Sequence, residues 1–117
     1  MPLTMEVREI SGITVIGCAG RITFGEEALA LRNNVKELIA KNSNLLLDLT
    51  AVSYVDSGGI GVLAGLYTSA KSAHGDLKIA GANHRILHVL KITRLVGIIE
   101  VFETQDEALR SFAHAAA

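Results

Sequence analysis

Cysteine and aromatic residues are scarce in this 117-residue chain, which has one cysteine, no tryptophan, two tyrosines and three phenylalanines. A single cysteine cannot form an internal disulfide, so the fold must be stable without one. Cys18 lies in an apolar stretch, where we expect a small buried residue, because a reactive thiol would need a basic group placed against the sulfur. With so few aromatic side chains, the core has to be built from Leu, Ile, Val and Ala.

The chain also lacks a strong net charge and a long apolar run. Its 11 basic and 12 acidic residues are interspersed and give a formal net charge of −1. This balance argues against nucleic acid or an anionic membrane as the main partner, since both attract basic patches. No stretch is apolar over the roughly 20 residues of a membrane span, and the first residues do not resemble a signal peptide. We therefore expect a cytoplasmic protein without direct membrane insertion.

The length suits one domain with a substantial core, and 50% of the residues are apolar, so we expect residues 1–117 to form a single domain. After an opening hairpin, predicted strands and helices alternate, which indicates an α/β fold with a mixed β-sheet and about four helices packed against it. Strands are predicted at residues 5–10, 13–19, 45–49, 77–80 and 98–102, and helices at 26–41, from 57 to near 75, at 82–90 and after 104.

Two segments have the spacing of a capping box, in which a hydroxyl accepts an early helix N–H and a glutamate reaches back. Thr23 and Glu26 would open the first helix, and Thr104 and Glu107 the last one. Both pairs predict where a helix begins.

The most informative segment is 54–63, Tyr-Val-Asp-Ser-Gly-Gly-Ile-Gly-Val-Leu, where the second helix should begin. A helix start has unpaired N–H groups and the positive end of the dipole, so a phosphate on Ser57 would be tolerated there. The glycines at 58 and 59 leave the backbone bare, which would let a partner protein approach closely. A phosphorylation switch and a simple helix cap at Ser57 are about equally compatible with these residues.

Residues 55–61, Val-Asp-Ser-Gly-Gly-Ile-Gly, resemble the D-S-[SG]-G-[LI]-G motif of STAS domains, specifically the bacterial anti-sigma factor antagonists. Residues 20–23 resemble the family's G-x-L-D turn before its first helix. Residues 45–49 resemble the strand before the motif, and residues 92–95 the late passage from helix to strand. The resemblance covers nearly the whole chain and implies a STAS-like mixed sheet.

The resemblance also implies a function. Antagonists of this family bind an anti-sigma factor that is also a serine kinase, which frees the sigma factor and so regulates transcription. Phosphorylation reverses the capture, and a PP2C-type phosphatase resets it. Carried over to this chain, the family pattern has Ser57 as the phosphorylated residue and Ile60 as a hydrophobic partner contact. It implies no catalytic residue and no cofactor, and a partner surface that contains Thr23, Asp56, Gly58 and Gly59.

Two positions depart from the family pattern. Gly58 stands where the family often has a second Ser or Thr, so a possible secondary acceptor is missing. The turn that usually ends in Asp ends here in Thr23, which removes a carboxylate from a surface that often borders the partner site.

Two alternatives are a nucleotide-binding enzyme and a phosphorelay. Residues 59–64 match the dinucleotide fingerprint G-x-G-x-x-A. A true fingerprint turns directly off its strand, whereas here a connection is predicted after Leu49. A phosphorelay through Asp48 or Asp56 would need Mg²⁺ and further carboxylates, and the first strand offers few.

Two further alternatives are a metal site and a scaffold. His84 and His88 have four-residue helical spacing, but Arg85 stands where a zinc protease needs glutamate, and no third ligand is evident. His74 and His114 have no ligand-like spacing. Since some STAS proteins are scaffolds of signalling complexes or regulatory subunits of membrane or lipid transporters, that function is the main rival to the switch.

Overall fold

The computed structural model describes residues 3–116, and the side chains of residues 3–112, and in this range it contains a five-stranded sheet in the order β1-β2-β3-β4-β5. The first two strands are antiparallel, and each later neighbouring pair is parallel. The predicted mixed sheet with an opening hairpin is therefore confirmed. The strands are β1 (Thr4–Ile10), β2 (Ile13–Ile22), β3 (Asn44–Val55), β4 (Asp76–Ala80) and β5 (Val101–Phe102).

Four α-helices accompany the sheet in the described range: α1 (Glu26–Lys41), α2 (Ser57–Ser72), α3 (His84–Ile92) and α4 (Gln105–Ala116). Helix α3 begins two residues later than predicted because the Asn83 carboxamide caps it, accepting the N–H of Ile86 at 2.9 Å. Strand β5 is shorter than predicted because residues 95–97 form a 3₁₀ turn and Ile98 keeps a helical backbone. In α4, the Thr104 hydroxyl accepts the N–H of Glu107 at 3.2 Å, so the predicted cap is confirmed.

Strand β3 continues to Val55 instead of ending at Leu49 as predicted. Its pairing with β2 changes register twice, between Gly17 and Ala19 and between Gly20 and Arg21. Such irregularities break strict in-and-out alternation. Val52 and Val55, three residues apart, are consequently both buried. The strand thus delivers the chain directly to the start of α2.

Helices cover both faces of the sheet. Against one face, α1, α2 and α3 bury a large cluster of aliphatic side chains, which includes Leu31, Leu47, Leu63, Leu66 and Leu90. Against the other face, α4 closes a smaller cluster made by Ile13, Val15, Leu46, Ala80, Ala108 and Phe112. The aliphatic core expected from the scarcity of aromatic residues is confirmed.

Cys18 belongs to the larger cluster and is 2% exposed. Burial, with a smaller contribution from the charge of Asp48, raises the pKa of the Cys18 thiol to about 12. The thiol is therefore protonated at neutral pH, and the expectation of a small buried residue is confirmed.

Lys78 is a buried charge on the face that α4 covers, with 2% of its side chain exposed. Its ammonium donates to the Ser111 hydroxyl at 2.7 Å, lies 3.2 Å from a carboxylate oxygen of Glu100, and stands 4.5 Å from the centre of the Phe112 ring. A buried ammonium needs such partners because water cannot solvate it. Helix α4 thus packs on the sheet through a polar contact with Lys78 as well as through its apolar face.

We predict that Ser111→Ala lowers the free energy of unfolding by about 1–3 kcal/mol, because it removes a hydrogen-bond partner of a buried charge. Urea denaturation at pH 7 measures this effect. Ser72→Ala, at the exposed end of α2, is the matched control and should change stability by less than about 0.5 kcal/mol. Equal effects of the two substitutions would contradict the role given to Ser111.

Candidate functional site

The predicted site lies at the carboxyl end of β3, where Asp56 caps α2 and Ser57 is the first helical residue. The Asp56 carboxylate accepts the N–H of Gly59 at 2.9 Å, which is the bond that an N-cap side chain makes. The alternative that Ser57 itself caps the helix is therefore wrong, because its neighbour has that role. Ser57 is exposed to solvent.

Asp56 also joins α2 to the turn between β2 and α1. Its two carboxylate oxygens accept the backbone N–H of Phe24 at 3.1 and 3.0 Å, and its own N–H donates to the Ile22 carbonyl at 3.3 Å. The N–H of Phe24, followed by that of Gly59, lowers the pKa of the Asp56 carboxyl below its ordinary value of 3.8. Asp56 thus holds together the two segments that carry the predicted partner surface.

Thr23 does not form the predicted capping box with Glu26. Helix α1 begins after Gly25, whose φ of 108° is left-handed, and the Thr23 hydroxyl donates instead to the Glu27 carboxylate at 2.6 Å. The glycine turns the chain between Thr23 and the helix, so that Glu27 rather than Glu26 faces the threonine. Thr23 is half-buried beside the site, and its part in partner binding stays a prediction.

Gly58 and Gly59 are required by packing inside the chain. A Cβ added to Gly58 would lie 2.6 Å from the Phe24 Cβ, and one added to Gly59 would overlap the Ile22 carbonyl oxygen. The departure from a second Ser or Thr at position 58 has a physical reason, because the Cβ and Cα of Phe24 fill that space. Gly58 is half-buried, while Gly59 is buried and presents no surface to a partner.

Ile60 is 7% exposed and packs in the larger core cluster. It lies three residues before Leu63, on the inward face of α2. Ile60 is thus a core residue of the free chain, and Gly59 beside it is buried as well. The contacts with a partner that the family pattern implies for these two residues stay predictions.

Gly61 and Gly65, further along α2, have no such internal requirement. A Cβ added to either residue meets nothing within 4 Å. Glycine in a helix interior costs roughly 0.5–1 kcal/mol relative to alanine. Glycine at these two positions therefore lowers the stability of α2, and no packing contact within the chain requires it.

The dinucleotide fingerprint is not supported by the geometry, although one reason for doubting it was wrong. Because β3 runs to Val55, the motif does follow its strand directly. Its glycines, however, lie within α2 rather than in a loop before it. A phosphate-binding turn needs bare N–H groups at the helix start, and the Asp56 carboxylate already accepts the N–H of Gly59, the first glycine of the fingerprint.

Beside Ser57, α1 and α2 form an open groove that encloses about 650 Å³ and is mostly apolar, which we call the α1–α2 groove. Two large apolar residues of the groove are exposed, Phe24 at 83% and Leu29 at 56%. Hydrophobic periodicity did not reveal these residues, because Phe24 lies in the turn before α1 and Leu29 lies off the buried stripe of that helix. The groove is lined by Phe24, Gly25, Ala28, Leu29, Arg32 and Lys36 on one side and Ser57, Gly58, Gly61, Val62, Gly65 and Leu66 on the other.

The side chains named for metal and phosphorelay chemistry are not assembled into such sites. Asp48 accepts hydrogen bonds from the Thr50 backbone, the Thr50 hydroxyl and the Gln105 carboxamide. His84 and His88 are exposed on α3. Among the residues that the structure describes, no three His, Cys, Asp or Glu side chains come together as metal ligands. The side chain of His114 lies outside the described residues.

We predict that Asp56→Ala lowers the free energy of unfolding at pH 7 by about 0.5–2 kcal/mol, the usual effect of losing an N-cap. Because folding depresses the carboxyl pKa, this contribution is present above the unfolded pKa and is lost as pH falls through the lower, folded pKa. Urea denaturation at pH 7 and at successively lower pH should show the difference from the wild type shrinking. Glu37→Ala, which removes an exposed carboxylate from the interior of α1, away from a helix start, is the control.

The glycines of α2 give a second prediction. Gly58→Ala should destabilise the chain by about 1–3 kcal/mol because the methyl group displaces Phe24. Gly61→Ala should instead raise stability by up to about 1 kcal/mol, since the new methyl group meets open space. Thermal and urea unfolding of the two variants measure both effects. Equal shifts of the same sign would contradict the packing described for Gly58.

Comparisons with known proteins agree with this geometry. The STAS domain family model matches residues 4–108. The anti-sigma-B factor antagonist of Bacillus subtilis is 30% identical over 101 residues, which cover 86% of this chain and 92% of that protein.

Two solved structures share the fold. An anti-sigma factor antagonist from Mycobacterium paratuberculosis has a TM-score of 0.84 at 24% identity, covering 95% of this chain and 94% of that one. The Bacillus cell fate determinant SpoIIAA in its phosphorylated form has a TM-score of 0.72 at 15% identity, covering 92% and 98%. From the family match, the identity to the Bacillus subtilis protein and the shared fold, we conclude that the chain belongs to the STAS domain family, among the bacterial anti-sigma factor antagonists.

Proposed function

We propose that this chain captures an anti-sigma factor with serine kinase activity and releases it when Ser57 is phosphorylated. The observation that carries the proposal is the position of Ser57, exposed at the first residue of α2 while Asp56 performs the capping. The serine hydroxyl is therefore not needed by the fold and is accessible to a kinase. The Bacillus protein SpoIIAA, which shares the fold, was solved in a phosphorylated form, and this supports the same chemistry.

The proposed partner surface surrounds Ser57 and consists of Thr23, Phe24, Asp56 and Gly58. Asp56 fixes the two segments relative to each other through the Phe24 and Gly59 N–H groups. The exposed Phe24 ring supplies the apolar contact that was expected of Ile60. A rigid aromatic group near the centre of an interface is a common anchor for a partner protein.

A phosphate on Ser57 would affect the partner more than the fold. The helix dipole favours a negative group at this position by about 0.3–1 kcal/mol. Like-charge repulsion from Asp56 acts in the opposite direction, so the two effects on the isolated chain offset each other. In a packed interface, by contrast, the charge would be desolvated at a cost of several kcal/mol. Since 1.4 kcal/mol is tenfold in affinity, a tight complex would dissociate.

In this proposal the chain is a regulator of transcription rather than an enzyme. A PP2C-type phosphatase would remove the phosphate, and any nucleotide in the complex would belong to the kinase. The protein would need no cofactor and would act in the cytoplasm as a single domain. Within residues 3–116 no helix is long and apolar enough to cross a bilayer.

We predict that Ser57→Asp weakens capture of the anti-sigma factor at least about tenfold, because it places a fixed charge in the interface. Ser57→Ala should abolish phosphorylation and keep binding. Both variants and the wild type serve as baits for affinity purification from the native cell, followed by mass spectrometry and calorimetry with the purified partner. Ser72→Asp, an exposed serine at the other end of α2, is the matched control.

Two results would overturn the proposal. Phosphate found mainly on another residue of the wild-type chain would show that Ser57 is not the phosphorylation site. Transporter subunits or other STAS proteins, held equally by wild type and by Ser57→Asp, would favour the scaffold function instead.

A further inference from the structure

The two glycines of α2 that the fold does not need lie in the α1–α2 groove. Gly61 and Gly65 are exposed, and neither position has an atom within 4 Å of an added Cβ. Glycine weakens a helix because it costs more conformational entropy to order and leaves the helix backbone uncovered. In the groove, that uncovered backbone allows another polypeptide to approach α2 more closely than a side chain would permit.

The opposite edge of the groove is positively charged. Arg32 and Lys36 are exposed four residues apart on α1, a spacing at which like charges repel each other. Within the described residues, neither of them forms a salt bridge; the pairs found there are Lys71 with Asp76 and Lys78 with Glu100. The groove therefore combines an apolar floor with one basic edge whose charges are not neutralised by ion pairs.

These features fit a helix better than an extended segment. The walls of the groove are helices, whose backbone groups are already paired within each helix. An extended segment would find no strand edge to pair with, whereas a helix satisfies its own backbone groups. From Ser57 to Gly65 the groove wall spans about 12 Å, or somewhat more than two helical turns.

We propose that the α1–α2 groove receives an acidic amphipathic helix of the anti-sigma factor. Its apolar face lies against Gly61, Val62 and Gly65, and its carboxylates face Arg32 and Lys36. This proposal rests on the proposed function and deepens it, because it names the part of the partner that binds. It also gives phosphorylation a direct target: a phosphate on Ser57, at the end of the same groove, repels an acidic helix lying there.

The test fills the groove without disturbing the fold. An added Cβ meets nothing within 4 Å at Gly65, in the groove, or at Gly97, in the 3₁₀ turn away from it, so Gly65→Leu is the test and Gly97→Leu the matched control. The protein that wild-type bait retains from the native cell is purified and titrated against each variant by calorimetry. Gly65→Leu should weaken binding at least about tenfold by steric exclusion, with an unchanged or higher melting temperature. Gly97→Leu should bind within about twofold of wild type.

The charge of the partner's helix is tested with the same purified partner protein. Arg32→Glu combined with Lys36→Glu should weaken binding at least about tenfold and reduce its dependence on salt. Lys91→Glu, an exposed lysine on α3, is the control. Hydrogen–deuterium exchange of the complex should show protection of an acidic, amphipathic helical segment in the partner.

The outcomes separate this proposal from the switch. If Ser57→Asp loses binding and Gly65→Leu binds normally, the groove proposal is wrong and the switch proposal stands. If Gly65→Leu loses binding and Ser57→Asp binds normally, the switch proposal is wrong and the groove proposal stands. Protection of a partner segment without acidic residues would also contradict the proposal that the bound helix is acidic. If Gly65→Leu changes only self-association in sedimentation, the groove binds a second copy of the chain and the proposal is wrong. If wild type retains no protein, both proposals are wrong.

Discussion

The Asp56 carboxylate is the interaction on which the arrangement of the site depends. It accepts the N–H of Gly59 within α2 and the N–H of Phe24 in the turn before α1. Two helices that are separated along the chain by all of β3 are thereby tied together at their starts. One carboxylate defines where α2 begins, how the β2–α1 turn is positioned and which residues surround Ser57.

The order of the elements could be predicted because each helix buries a regular stripe and each central strand is continuously apolar. The end of β3 could not, since the irregular pairing with β2 removes the alternation that marks a strand. The capping of α1 was mispredicted for a related reason. The sequence shows a threonine and a glutamate at the right spacing, but not the left-handed turn at Gly25 that brings Glu27 to Thr23 instead.

For the candidate site, the position of Ser57 at a helix start was predictable from local sequence, whereas accessibility was not. The family motif by itself contains no information on burial, although helical spacing from Leu63 already places position 60 on the inward face of α2. Ile60 and Gly59 belong to the inward face of α2, and Gly58 is pressed against a turn about 34 residues away along the chain. Within the motif of this chain, Ser57 therefore lies at the surface and the residue at position 60 lies inside.

The state of Cys18 has a practical consequence for studying this protein. A thiol that is 2% exposed, with a pKa of about 12, supplies very little thiolate at neutral pH, and thiolate is the form that reacts with maleimides and iodoacetamides. A cysteine introduced at an exposed position would carry a fluorophore or spin label almost alone. The native sequence is in this respect already a background for single-site labelling, with no need to remove its own cysteine.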